Sequence, residues 1–255
     1  CLTFILLLLS FIFCMNNEGE ETDFLTLLIN QIRAWLFHLL GKPGRPFPKF
    51  QLLCNSKLNI MTRRIAIFAS GNGSNFQHIA EYFAGNADVE IAVLCSNSPR
   101  AFALVRAANL GIPTVVFDRK QFYDTSDILN DLHTRHIDWI VLAGFLWLVP
   151  EDILHAYEGR ILNIHPALLP KYGGKGMYGM RVHEAVIAAG DAESGITIHL
   201  VNEHYDAGQV VFQARCPVLP GDTAEDVAQK IHQLEYTHFP RVIEELLFEF
   251  NLTNA

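Results

Sequence analysis

An asparagine and a histidine two residues apart are the side chains of this sequence best suited to chemistry. They lie in the segment Asn163-Ile164-His165-Pro166, at the end of an apolar run that predicts a β-strand. Residues i and i+2 of a strand share a face, so Asn163 and His165 point the same way while Ile164 enters the core. An amide donor and a titratable imidazole can together stabilise an oxyanion and transfer a proton. Taken alone, however, the segment is more typical of a structural histidine.

A carboxylate in a later polar segment is the third candidate. Asp206 begins the tripeptide Asp206-Ala207-Gly208, in a turn between two predicted strands. An aspartate at that turn could lie beside His165 and orient its imidazole. By itself the tripeptide is typical of an ordinary turn, so this assignment depends on the rest of the sequence.

A loop of small residues, Ser70-Gly71-Asn72-Gly73-Ser74-Asn75, separates a predicted strand from a predicted helix. Free backbone N–H groups and the helix dipole favour an anion at such a place, so the loop predicts a site for a single phosphate. A dinucleotide site is disfavoured, because Phe76 stands where its third glycine is needed. The remaining interpretation is a tight turn without a ligand.

An alternation of apolar runs and amphipathic stretches surrounds these segments and predicts an α/β fold. We expect a Rossmann-like, mostly parallel sheet with helices on both faces, because several runs are apolar throughout. The last two strands leave little room for a crossover helix between them, which predicts an antiparallel C-terminal portion. Strands are predicted at 65–69, 89–95, 114–117, 139–143, 161–164, 197–201 and 209–214, and helices at 76–83, 101–110, 126–136, 151–157, 182–189 and from 224 to about 250.

Composition narrows the function classes. The formal charge of −8 argues against a protein that binds nucleic acid or an anionic membrane surface, although backbone N–H groups can still hold a small anion. The five cysteines are odd in number and form no Cys-x-x-Cys pair, so neither a disulfide framework nor a metal site is indicated. A reducing, cytoplasmic location fits these cysteines.

Residues 1–60 differ in character from the remainder. Two apolar stretches precede a segment rich in Gly and Pro, and Met61 then runs directly into the first predicted strand. A signal peptide would need a basic start and a cleavage site, and a membrane helix would need about 20 apolar residues. We interpret 1–60 as upstream sequence translated in frame, with a membrane anchor or an extra domain as alternatives. Residues 61–255 are expected to fold and act without it.

Taken together, the segments resemble the phosphoribosylglycinamide formyltransferase family, in order and in spacing, from about residue 64 to residue 245. The Asn-Ile-His-Pro segment with the later Asp-x-Gly is specific to folate-dependent formyl transfer, and the glycine loop indicates the purine-pathway branch. The matching segments are 70–75, 142–145, 162–172 and 206–208.

The resemblance implies a formyltransferase fold and a reaction. The formyl group of 10-formyltetrahydrofolate, as co-substrate, would pass to the amine of 5'-phosphoribosylglycinamide without a metal ion. Both partners are small molecules, and the oligomeric state, a homodimer included, stays open. The family roles fall on Asn163, His165 and Asp206 for catalysis, on Gly73, Ser74 and Asn75 for the substrate phosphate, on Glu235 for the ribose side, and on Leu146, Trp147, Leu148, Val149 and Asn163 for the folate.

Two departures from the family pattern bear on these roles. An arginine is usual beyond the third strand, where this sequence reads Tyr123-Asp124-Thr125, so that contact is either absent or supplied by Arg119 or Lys120. The segment 173–180 is about four residues longer than usual and lacks the usual histidines, and we interpret it as a mobile lid over the folate.

The expected mechanism places a tetrahedral oxyanion beside Asn163 and a protonated His165. Asp206 is expected to raise the pKa of His165, because a nearby negative charge favours the imidazolium. Three alternatives remain. Formyltetrahydrofolate deformylase would use water, but it carries a regulatory domain that 1–60 does not resemble. Methionyl-tRNA formyltransferase adds a basic domain, which the acidic composition disfavours. A nucleotide-binding module would bind without turnover.

Overall fold

The computed structural model describes residues 62–253, so the interpretation of 1–60 lies outside the described residues. The described residues all fall within one compact unit. In chain order the elements are β1 (Arg63–Phe68), α1 (Ser74–Tyr82), β2 (Val89–Ser96), α2 (Phe102–Asn109), β3 (Thr114–Val116), α3 (Arg119–Tyr123), α4 (Asp127–Thr134), β4 (Trp139–Leu142), α5 (Glu151–Ala156), β5 (Ile161–His165), α6 (Met180–Ala189), β6 (Glu193–Leu200), β7 (Val210–Pro217) and α7 (Ala224–Thr253).

The strands form one seven-stranded sheet in the order β3-β2-β1-β4-β5-β6-β7. Strands β1 to β5 pair in parallel, whereas β6 is antiparallel to both β5 and β7. The mostly parallel sheet with an antiparallel C-terminal portion is therefore confirmed. Strand order reverses at β1, which pairs with β2 on one side and β4 on the other. A crevice opens at such a reversal, outside the carboxyl ends of the strands.

Apolar side chains on β1 divide between two cores, one on each face of the sheet. Ile65 and Ile67 belong to the core that α1, α2 and α7 cover, whereas Ala66 and Phe68 belong to the core under α3, α4 and α5. Successive side chains of a strand point to opposite faces, so this division follows from the sequence. Helices cover both faces, as a parallel sheet requires.

Two helix starts show how local sequence fixes the ends of elements. Thr223 and Asp226 exchange side-chain bonds with each other's backbone N–H at 3.2 and 2.9 Å, and so form a capping box at the start of α7. A second box, Asp118 with Gln121, begins α3. Only one helix was predicted between β3 and β4, at 126–136, so α3 was missed, although Asp-x-x-Gln is a recognisable start signal.

Candidate active site

A cavity of about 630 Å³ opens at the carboxyl edge of the sheet, at the reversal of strand order. Its walls come from the loops after β1, β4 and β5, from the turn before β7, and from one face of α7. The loops after β1 and β4 are joined to each other, because the N–H of Ser70 donates to the carbonyl of Gly144 at 3.1 Å. All three predicted catalytic residues line this cavity, as do Gly73, Ser74, Asn75 and Glu235.

His165 ends β5 with only 4% of its surface exposed. Its Nδ1 lies 3.5 Å from a carboxylate oxygen of Asp206, and its Nε2 lies 2.7 Å from the carbonyl oxygen of Tyr172. A carbonyl oxygen only accepts, so Nε2 must carry a hydrogen and donate it. In the neutral ring Nδ1 then carries no hydrogen and faces the carboxylate. Protonation of Nδ1 would therefore create a favourable ion pair with Asp206.

The pKa of His165 nevertheless lies below its ordinary value, so the expected increase was wrong. Burial of the ring is the largest cause and lowers the pKa, while Asp206 and the Tyr172 carbonyl raise it and His199 lowers it further. The carboxylate acts in the expected direction, but the loss of water around the imidazolium outweighs it. The free site therefore holds mainly neutral imidazole near pH 7.

Asp206 keeps its charge although it is largely buried. Burial acts first to raise its pKa, but the bonds and charges of His199 and His165 and the N–H of Gly174 together hold the pKa below its ordinary value. The Gly174 N–H donates to the carboxylate at 2.9 Å. An ionised carboxylate between two imidazoles can stabilise positive charge that develops on either ring.

His199, on β6, is a member of this group that sequence reasoning missed. It is 2% exposed, and it stands opposite Asn163 in the antiparallel register. Its Nδ1 lies 2.9 Å from the carbonyl oxygen of Leu200, and its Nε2 lies 3.0 Å from Nδ2 of Asn163 and 3.7 Å from Asp206. The Leu200 carbonyl requires a hydrogen on Nδ1, so in the neutral ring Nε2 accepts from the asparagine.

The Asp-x-Gly pattern has a steric basis in the same place. A Cβ at Gly208 would overlap the carbonyl oxygen of Leu200, the group that accepts from His199. Glycine therefore allows the turn that carries Asp206 to pack directly on β6. His199 could have been suspected from the sequence as a polar residue within an apolar strand, but its partner depends on the strand register.

The glycine loop leads into α1 with free backbone donors. Gly73 is the N-terminal cap, has a φ of +76°, and makes no side-chain capping bond. Arg106 fixes the loop from outside, because its guanidinium donates to the carbonyl and side-chain oxygens of Asn72 at 2.9 and 2.7 Å. The first N–H groups of α1 thus face the cavity end of the helix, where an anion is favoured.

Glu235 lies on α7 beside this loop and is 6% exposed. Burial raises its pKa to about 7, and the hydrogen bond that Asn75 Nδ2 donates to it at 3.0 Å opposes the increase. His183 is close to this region and 3% exposed, and its Nδ1 has no hydrogen-bond partner among the described residues. Burial, then His232 and His165, lower its pKa to about 4, so it stays neutral.

Four of the five residues that the resemblance assigns to the folate, at 146–149, separate in the structure. Leu146 lines the cavity and is exposed, but the next three residues do not line it. Trp147 packs against Phe117, Phe122 and Phe145, Val149 is buried in the core, and the Leu148 carbonyl accepts from Tyr123. Their contact with folate stays a prediction.

With this geometry in view, the sequence matches the family described as formyl transferase over residues 63–243. The chain belongs to the formyl transferase family. A phosphoribosylglycinamide formyltransferase of Haemophilus influenzae is 40% identical over 187 residues, which cover 71% of this chain and 86% of that protein. A chloroplastic phosphoribosylglycinamide formyltransferase of Vigna unguiculata is 40% identical over 199 residues, 76% of this chain. The resemblance to these enzymes is confirmed.

Solved structures agree with the sequence relatives. The chain matches phosphoribosylglycinamide formyltransferase from Streptococcus pneumoniae TIGR4 with a TM-score of 0.65 and 38% identity, over 73% of this chain and 99% of that one. It spans 64% of the length of the Vigna protein. That relative's name places it in the chloroplast, so a cytoplasmic location for this chain stays a prediction. Within residues 62–253 no helix has the length and apolar character to cross a membrane, and no group of side chains resembles a metal site.

The geometry of the glycine loop predicts the effect of Gly73→Ala on stability. A Cβ at Gly73 would lie 2.5 Å from Cβ and 2.7 Å from Cα of Ala103, at a positive φ that alanine disfavours. The free energy of unfolding should fall by about 1–3 kcal/mol, measured by urea unfolding. Gly71→Ala is the matched control, because a Cβ there meets no atom within 4 Å. Equal stability of the two variants would contradict this account of the loop.

The raised pKa of Glu235 predicts that the stability of the fold depends on pH. Its pKa is raised in the folded chain, to about 7, so the unfolded chain ionises first as the pH increases. Wild-type stability should therefore fall relative to Glu235→Gln between about pH 4.5 and 7, by on the order of 3 kcal/mol in total. Urea unfolding at several pH values measures the difference. Glu245→Gln, on an exposed face of the same helix, is the matched control. Stability curves of the wild type and Glu235→Gln that run parallel with pH would exclude the raised pKa.

Proposed function

We propose that the chain transfers the formyl group of 10-formyltetrahydrofolate to the amine of 5'-phosphoribosylglycinamide, as a step of purine biosynthesis. The observation that carries the proposal is the convergence, in one cavity, of Asn163, His165 and Asp206 with the free donors of α1. The first group suits acyl transfer and the second suits a phosphate, and the substrates of this reaction need both. Family membership supports the same reaction.

The reaction exchanges one C–N bond for another. The substrate amine attacks the formyl carbon and loses a proton, a tetrahedral oxyanion forms, and the folate nitrogen gains a proton as it leaves. One N–H of Asn163 donates to His199 at 3.0 Å, and the other has no partner among the described residues, so it is available for the oxyanion. Fixed donors of this kind stabilise charge that develops in the transition state without having to reorganise.

His165 serves this reaction better as a proton acceptor than as a permanent cation. Its lowered pKa leaves the ring neutral in the free site, ready to take the proton that the amine loses. The Asp206 carboxylate, 3.5 Å from Nδ1, stabilises the imidazolium formed in that step. The proton can then pass to the leaving folate nitrogen, directly or through water.

Buried polar groups near α1 suit the remainder of the nucleotide. Glu235 offers a carboxyl group at the cavity wall that can accept from a ribose hydroxyl, as the resemblance implies. Two buried polar atoms here have no hydrogen-bond partner among the described residues: the side-chain oxygen of Asn75 and Nδ1 of His183. Buried polar atoms are normally hydrogen-bonded, so both atoms are consistent with a polar ligand.

The proposed reaction predicts turnover with an amine and little without it. Wild-type protein should deformylate 10-formyltetrahydrofolate at a rate that depends on 5'-phosphoribosylglycinamide and should yield the N-formylated product, followed by mass spectrometry. The control omits the amine, so that water is the only acceptor. Equal rates with and without amine would favour a deformylase, and folate binding without turnover would favour a binding module.

The catalytic roles predict the effects of two substitutions. His165→Ala should lower kcat by roughly 10²–10⁴-fold, the span usual for a positioned acid–base group, with little change in substrate Kd. Asp206→Asn should lower the rate too, and it should lower the pKa of His165 further, because it removes the charge that favours the imidazolium. NMR titration of His165 measures this second effect.

The matched control for these variants is His155→Ala, at an exposed histidine on α5 away from the cavity. Its kcat should equal that of the wild type. A His165→Ala variant as active as this control, or an Asp206→Asn variant in which the His165 pKa does not move, would mean that other groups perform the proton transfer.

A further inference from the structure

Few cationic side chains line the cavity in which a phosphate would bind. Two carboxyl groups, of Asp206 and Glu235, line the cavity, and the pKa values of His165, His183 and His232 are all lowered by burial. Among the described residues that line it, the side chains with full positive charge at neutral pH are Lys175 and Arg181. Helix N–H groups alone carry only partial charge, so a dianion there gains from a true cation.

Arg119 and Lys120, the two cations expected beyond the third strand, do not line this cavity. Arg119 stacks over the rings of Tyr123 and Trp147, with its guanidinium carbon 5.0 and 5.6 Å from their centres. Arg106 touches the glycine loop, but its guanidinium is occupied by Asn72 and Gln77 and packs on Phe102.

Lys175 lies at the tip of a turn at the cavity wall. The N–H of Met177 donates to the carbonyl of Gly174 at 3.1 Å and closes the turn around Lys175 and its neighbour. The side chain is exposed and makes no hydrogen bond or ion pair within the described part of the chain. Lys175 therefore carries a charge that no described protein group neutralises.

Arg181 is held in position at the other end of the same segment. It follows the first residue of α6, and its guanidinium carbon lies 5.2 Å from the centre of the Tyr178 ring. A guanidinium stacked on an aromatic face keeps its N–H edge available for a second partner. Lys175 thus comes from the segment 173–180, which was expected to depart from the family pattern, and Arg181 follows that segment at the start of α6.

We infer that Lys175 and Arg181 bind the phosphate of the amine substrate, together with the N–H groups at the start of α1. This assignment rests on the proposed function. Both side chains line the same cavity as the glycine loop.

The test separates the phosphate from the rest of the substrate. Lys175→Met should weaken binding of 5'-phosphoribosylglycinamide by about 10- to 100-fold, the effect of losing one charge-assisted hydrogen bond. Binding of the same compound without its phosphate should change less than about twofold, since no phosphate is present to lose the contact. Calorimetry gives Kd for the nucleotide, and competition against it gives Kd for the nucleoside. Arg181→Met should show the same selectivity.

Two controls define the result. Lys175→Arg keeps the charge and should bind the nucleotide nearly as well as the wild type. Lys171→Met removes a lysine that lies outside the cavity and pairs with Asp191 at 3.0 Å, and it should change neither Kd. The KM for 10-formyltetrahydrofolate should stay the same in all variants.

Several outcomes would overturn the inference. Equal loss for nucleotide and nucleoside, an unchanged Kd for the nucleotide, or a raised KM for the folate alone would each place Lys175 away from the phosphate. Because Kd is measured without turnover, this result is separate from the proposed function. The proposed function fails if the wild type does not formylate the amine. The inference fails if the wild type is active and Lys175→Met prefers the nucleotide over the nucleoside by the same factor as the wild type.

Discussion

The buried carboxylate of Asp206 is the group around which the site is organised. It touches the imidazoles of His165 and His199 and accepts the N–H of Gly174. These contacts come from β5, from β6 and from the segment that precedes α6, so three parts of the chain must be in place before the charge is stabilised. A buried charge without such partners would be costly, which ties the fold of the C-terminal half to the chemistry.

Burial has opposite effects on the acidic and basic groups of this cavity. It raises the pKa of Glu235 and lowers those of His165 and His183, so each of these groups shifts toward its neutral form. Asp206 is the exception, because its partners outweigh its burial. The result is a negative charge on Asp206 beside the neutral ring of His165, an arrangement in which a proton can move over short distances near neutral pH.

Local sequence predicted the sheet, and the three residues predicted for catalysis do line one cavity, but their partners were not predicted. Apolar runs predicted the parallel strands, and period-2 alternation placed Asn163 and His165 on one face of β5. The pairing of Asn163 with His199 depends on the β5–β6 register, which local patterns do not specify. The His165 pKa was predicted in the wrong direction because a nearby carboxylate is visible in the motif, whereas the depth of burial appears only in the folded chain. The stacking of Arg119 on Trp147 was not predicted either, because it requires α3 to meet the loop after β4.

The hydrogen bond from His199 to the backbone has a consequence for the direction of the whole array. The Leu200 carbonyl cannot reverse its role, so in the tautomer with a hydrogen on Nδ1 alone the hydrogen bonds run one way, from Asn163 to His199 and from His199 to the backbone. An asparagine side chain in solution would present its oxygen or its nitrogen with equal ease. Here the backbone anchors the polarity of the amide, so a carbonyl entering the cavity meets N–H rather than a second oxygen. The pairing of β5 with β6 thus orients the side chain of Asn163 in the cavity.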